Sequence, residues 1–132
     1  MAARVEARGL GIVLTAPLDV ILADTTILQP DIIHLDRERL PALQRHGVDG
    51  SPTLVVEIVS PGTAPADHGA KRQLYARHAI PYFWLVDPAA RVVEALVLRG
   101  SAYEVALTAT GSEPIDVPPF TDLRLAPSSL WP

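Results

Sequence analysis

Six consecutive residues, Leu54-Val55-Val56-Glu57-Ile58-Val59, place apolar side chains on both alternating faces of an extended chain, with one ionisable group among them. A strand of that kind has to be covered on both sides, so it belongs in the middle of a sheet with a layer packed on each face. Ser60-Pro61-Gly62 ends it. The residues from Asp67 to Ala79 read as the one convincing helix, with Asp67 as N-cap and Pro81 closing the segment. Leu74 shares one face of that helix with Ala70 and His78, and the other face carries Asp67, Lys71 and Tyr75 at four-residue spacing. Tyr82 to Val86 then returns as a strand. Strand, helix and strand in that order form a crossover, for which the right-handed parallel arrangement is expected.

Elsewhere, 13 prolines divide the 132 residues into short pieces and exclude long helices, so strands dominate. Gly11 to Leu14 and Leu18 to Leu22 suit half-buried strands around the break at Pro17, and Asp24-Thr25 reads as a turn. Thr26 to Gln29 leads through Pro30 into Asp31-Ile32-Ile33-His34-Leu35, a β-branched run taken as the next strand. Charges, glycines and Pro41 mark Asp36 to Pro52 as a surface connection with a turn of helix near Leu40 to His46. After Asp87-Pro88, Val92 to Leu98 and Tyr103 to Leu107 flank Gly100-Ser101 as a hairpin. The tail from Gly111, with five prolines, is expected to wrap the surface and return Phe120, Leu123 and Leu125 to the core. The expected architecture is α/β: a mixed β-sheet core, one main helix in a strand-helix-strand crossover and a C-terminal hairpin, in a single domain over residues 1–132.

Composition narrows the chemistry. Apolar residues at 48% against 20% charged can bury a core, which excludes a disordered tail. The absence of cysteine excludes a disulfide scaffold, thiolate zinc sites and a cysteine nucleophile together. Eleven Lys and Arg against 15 Asp and Glu give a net charge of -4, so no global basic field draws the chain to nucleic acid. A polyanion partner needs a local patch, such as Arg72, Arg77, Arg91 and Arg99 gathered on one side. The first residues, MAARVEARGLG, carry Glu6 and lack an apolar leader core, and no apolar run approaches the roughly 18 residues of a membrane span. The expectation is a cytoplasmic protein with no membrane partner.

Glu57 most needs explaining, because an unpaired carboxylate in so apolar a strand costs several kcal/mol. It must be protonated, paired with an arginine, or bound to a metal. Asp31 opens the Ile32-Ile33 strand directly after Pro30, where the plain reading is a strand-edge aspartate. Two carboxylates on adjacent strands also make a natural site for a hard cation, since Mg²⁺ asks for one or two carboxylates and keeps water or phosphate oxygens as its other ligands. Lys71 is the single lysine among eleven basic residues, in a chain that otherwise uses arginine for every cation. Its plain reading is chance, or an ion pair with Asp67. With Asp31 and Glu57 it completes a set suited to metal-assisted phosphodiester hydrolysis. His34 falls one strand step out of phase with Asp31 and faces the opposite side of the sheet. His46, His68 and His78 have no third partner at metal-ligand spacing. Ser60 lacks the flanking glycines of a nucleophile elbow, and Trp84 and Tyr82 read as core.

The blocks Gln29-Pro30-Asp31-Ile32, Leu54 to Pro61, Asp67 with Lys71 and Tyr75, and Tyr82 to Pro88 together resemble the bacterial Uma2 family of restriction-endonuclease-like proteins, within the PD-(D/E)XK nuclease superfamily. The resemblance runs from about Gly9 to Leu125. It implies Asp31 and Glu57 as ligands of Mg²⁺ or Mn²⁺, with the Ile58 carbonyl as a third. The superfamily lysine two residues after the glutamate is replaced here by Val59, and the resemblance implies that its role passes to Lys71. The chain starts almost where the resemblance does, which implies that the N-terminal part of the family fold is missing. The expected activity is a metal-dependent endonuclease acting on DNA. The alternative is a catalytically inactive nuclease-like module that forms a homodimer or binds a partner, which an exposed apolar sheet edge near residues 11 to 22 would support.

Overall fold

The computed structural model describes residues 9–23, 26–59, 65–110 and 116–120, without the side chains of 65–68. Ten strands, one α-helix and a short 3₁₀ turn fall within them. The expected central strand is β7 (Leu54–Ile58), paired antiparallel with β4 (Ile32–Leu35) and parallel with β8 (Tyr82–Asp87). With β1 (Ile12–Thr15), β9 (Val92–Arg99) and β10 (Ala102–Thr110) they form a six-stranded sheet in the order β1-β4-β7-β8-β9-β10.

The two faces of β7 enter two different cores, as its double-sided apolar pattern requires. Leu54 and Val56 pack with Trp84, Val86, Val93, Ala95, Val117 and Phe120. Val55 turns the other way, to Ile33, Leu35, Tyr75, Phe83, Leu96 and Tyr103. Each fully buried side chain of this size is worth about 1.5–3 kcal/mol of transfer free energy, so the double coverage holds β7 as the most deeply fixed strand. The helix α1 (Pro65–Arg77) supplies Tyr75 to the second core, and the segment around Val117 and Phe120 closes the first.

The crossover joins β7 to its parallel neighbour β8, and the hairpin stands as the sequence indicates, with Arg99 and Ala102 paired across Gly100-Ser101 and a register shift between Val105 and Leu107. The helix itself starts earlier than the sequence indicates. It begins at Pro65, which places Asp67 inside the first turn rather than at the N-cap; a proline is tolerated there because its missing N–H would have no partner in any case. The face turned to the sheet is that of Tyr75, with Leu74 and His78 half-buried and Ala70 exposed. One aromatic ring there outweighs the small and polar residues opposite. Beyond the helix end at Arg77, Ala79 takes a positive φ of 57°, and the Ile80 amide bonds back to the Tyr75 carbonyl at 3.1 Å.

The segment from Asp36 to Pro52 is more than a surface connection. The 3₁₀ turn Leu40–Ala42 leads into β5 (Leu43–Gln44) and β6 (Gly47–Asp49), which join β2 (Val20–Ala23) and β3 (Thr26–Leu28) in a second, four-stranded sheet ordered β3-β2-β6-β5. Val20 and Val48 are buried where β2 and β6 run parallel, and the Val48 amide donates to the Asp19 carbonyl at 2.8 Å. Strands of two or three residues carry no readable period, so only the partner strand reveals them. The expected turn at Asp24-Thr25, the stop at Ser60-Pro61-Gly62, and Leu123 and Leu125 lie outside the described residues. Among the described residues no helix is long and apolar enough to cross a membrane.

Candidate active site

Asp31 immediately precedes β4, and the pairing of Ile32 with Val56 carries on to set it opposite Glu57. Both lie on the helix-covered face, in phase with Ile33 and Val55. The Asp31 carboxylate accepts a hydrogen bond from the Ile58 amide, N to Oδ2 2.7 Å. Its other oxygen takes no hydrogen bond from any described residue.

Glu57 is buried, at 3% exposure, and is paired at both oxygens. The Tyr75 hydroxyl donates to Oε1 at 2.5 Å, and the Lys71 ammonium lies 3.6 Å from Oε2. Residues four apart on a helix stand one above the other, which is why Lys71 and Tyr75 reach one carboxylate from consecutive turns. Pairing with an arginine, one of the alternatives for Glu57, is therefore set aside: the cation beside it is the lone lysine, and a phenol shares the task. Burial pushes the Glu57 carboxyl up from its usual range; the Tyr75 hydrogen bond and the Lys71 charge oppose the rise, and the Asp31 carboxylate adds to it. Burial, with the neighbouring Glu57 charge, pushes the Tyr75 phenol far up, so it stays neutral and serves as a donor.

The structure thus brings Asp31, Glu57 and Lys71 together from the start of β4, from β7 and from α1, with the Ile58 amide bonded to Asp31. Two carboxylates against one ammonium make a donor set of hard oxygens that fits Mg²⁺ or Mn²⁺. No group of three or more His, Asp or Glu side chains that could hold a metal occurs among the described residues, and the carboxylates that meet here are those of Asp31 and Glu57. Tyr75 is the member that the reading of single residues missed. The signal was its place one turn beyond Lys71.

The remaining candidates sit elsewhere. His34 turns to the opposite face, where its Nε2 bonds the Leu10 carbonyl at 2.6 Å and its ring meets Phe120 at 4.8 Å; burial lowers its proton affinity. His46 faces Asp49 at 3.7 Å on the surface. Trp84 is fully buried and donates to the Pro118 carbonyl at 2.6 Å, and Tyr82 packs against the same core. Ser60 and the His68 side chain are outside the described residues. The four arginines do not all gather: Arg91, just before β9, and Arg99, at its far end, stand about 27 Å apart at strand rise. Arg72 is tied to the Tyr103 carbonyl, and Arg99 faces Glu104.

The family model of Uma2, described as "Putative restriction endonuclease", matches residues 1–128 of this chain. Among solved structures, a protein from Anabaena variabilis described as "a putative nuclease belonging to DUF820" is similar with a TM-score of 0.71. The match covers 97% of this chain and 72% of that one at 19% sequence identity, a likeness of fold. No curated protein matches the chain.

Proposed function

Because this chain belongs to the Uma2 family of restriction-endonuclease-like proteins, we propose that it is a divalent-metal-dependent endonuclease that hydrolyses phosphodiester bonds in DNA. The observation that carries the reading is the meeting of Asp31, Glu57 and Lys71 from three separate elements at the end of the central strand. Asp31 and Glu57, with the Ile58 carbonyl, would hold Mg²⁺ or Mn²⁺. Such an ion supplies charge to polarise a phosphate oxygen and lowers the pKa of a bound water. The Ile58 amide anchors the Asp31 carboxylate, and Tyr75 anchors that of Glu57. Lys71 contributes a compact ammonium, one-third exposed, that can leave Glu57 to neutralise a phosphate.

Nicking of supercoiled plasmid DNA in Mg²⁺ or Mn²⁺, abolished by EDTA, is the expected activity. Glu57→Ala removes metal binding and cleavage together, whereas Lys71→Ala keeps metal binding and loses cleavage. A Glu57→Ala variant that still bound the ion would sink the assignment.

One observation favours a second reading, a module that pairs with another copy of itself. Among the described residues β1 has a neighbour on one side only, and its Ile12, Val13 and Leu14 are half-buried at that edge. Sedimentation discriminates: a metal-independent dimer lost when a proline is placed in β1 supports assembly through this edge.

A further inference from the structure

We infer that Tyr75 is a positioning residue of the proposed metal centre, holding one oxygen of Glu57 so that the other, which faces Lys71, is the one offered to a divalent cation. The inference rests on the reading of Asp31 and Glu57 as metal ligands.

The two partners of Glu57 differ in kind. Tyr75 is 1% exposed, its ring set edge-on against Phe83 at 5.2 Å, and Phe83 in turn meets Tyr103 at 5.7 Å. The Tyr103 hydroxyl donates to the Ile80 carbonyl at 2.6 Å, and the Ile80 amide returns to the Tyr75 carbonyl at 3.1 Å. The row of three rings is thereby tied back to the end of the helix that carries its first member. A phenol packed in this way has one place to put its hydroxyl, and that place is Oε1. Lys71 hangs on four rotatable bonds, has a side chain 32% exposed, and stands 3.6 Å from Oε2, beyond hydrogen-bond length. Oε2 is therefore the oxygen whose partner can be exchanged. Groups that hold a ligand by its far atom orient it toward a metal without competing for the charge, and a neutral phenol on Oε1 does this.

The test is calorimetric titration of Mn²⁺ into the full chain as wild type, Tyr75→Phe, Tyr103→Phe and Glu57→Gln, with circular dichroism on each. Tyr75→Phe is expected to weaken Mn²⁺ binding about 10- to 100-fold with an unchanged spectrum. Tyr103→Phe removes the other hydroxyl of the same aromatic row and is expected to leave affinity where it was. Equal affinity in Tyr75→Phe and wild type overturns the role of Tyr75, and so does an equal loss in both tyrosine variants, which would mean general loosening. Binding that survives Glu57→Gln defeats the ligand assignment itself. Binding lost there but unaltered in Tyr75→Phe defeats only the positioning role.

A second measurement stands if Tyr75→Phe does not fold. The protein has three tyrosines, so in a wild-type chain labelled with 3-fluorotyrosine the Tyr75 resonance is assigned by elimination through Tyr82→Phe and Tyr103→Phe. It is expected to shift on addition of Mg²⁺, and a resonance that stays in place overturns the proposal.

Discussion

The carboxylate of Asp31 caps the Ile58 amide, at 2.7 Å, just beyond the point where the pairing of β4 with β7 stops at Ile32 and Val56. A side chain thus takes over from the ladder at the strand end and is oriented by doing so. Asp31→Ala leaves that amide without its acceptor and is expected to cost about 1–2 kcal/mol. Asp31→Asn retains an oxygen there and should stay close to wild type in urea denaturation, while losing Mn²⁺ affinity with the charge. An asparagine variant as unstable as the alanine one would show that charge, rather than the acceptor, holds the amide.

Removing Lys71 leaves Glu57 buried with Tyr75 as its remaining partner among the groups described at its two oxygens. The ammonium is partly solvated, which discounts the pair, so Lys71→Met is expected to destabilise by only about 1 kcal/mol. Adding Glu57→Gln removes the stranded charge and should recover most of the loss. A double-mutant cycle by denaturant unfolding reads the coupling directly, and additive effects would mean that the pair contributes nothing.

Acid stability has a contributor on the opposite face. Burial lowers the proton affinity of His34 from its usual value of 6.5, so in the window just below 6.5 the unfolded chain binds more protons than the folded one. Stability from this group is present above that window and is lost as pH falls through it. His34→Gln keeps a donor for the Leu10 carbonyl but cannot titrate. Its unfolding free energy should therefore fall less steeply on acidification, and parallel pH profiles would contradict the account.

Two glycines should respond to the same substitution with opposite sign. At Gly47, φ is +146° and an added Cβ would come within 2.3 Å of the Asp19 carbonyl oxygen. Since that oxygen accepts from the Val48 amide, Gly47→Ala should cost about 1–3 kcal/mol and speed hydrogen exchange at Val48. Gly69 lies in α1 with open space around its Cβ position. There Gly69→Ala should stabilise by about 0.5–1 kcal/mol, read as a raised melting temperature.

Much of the fold was legible because it rests on period and punctuation. Leu54 to Val56 alternate into two cores, Gly100-Ser101 turns the hairpin, and Pro81 lies beyond the end of the crossover helix. The second sheet was not legible, because β5 and β6 hold two and three residues and their order comes from contact with β2 and β3 rather than from any pattern of their own. The face of α1 that meets the sheet was left open for a related reason. Without the sheet in view, Leu74 competes with Tyr75, and burial of the ring beside Phe83 settles it.

By itself the sequence determined that Glu57 would lie buried in a central strand, that Asp31 would open a separate one, and that Lys71 is the only lysine available. These follow from alternation, from proline and from counting, which are local properties of a chain. Only the tertiary structure decided that α1 would bring Lys71 and Tyr75 to the same carboxylate, and that Asp31 would be fixed by the Ile58 amide. Residues 14 and 18 positions along the chain from Glu57 meet it because the crossover lays the helix across the sheet. The choice of partner for a buried charge is made by packing, since a carboxylate that has lost its water takes whichever donors the fold places within reach.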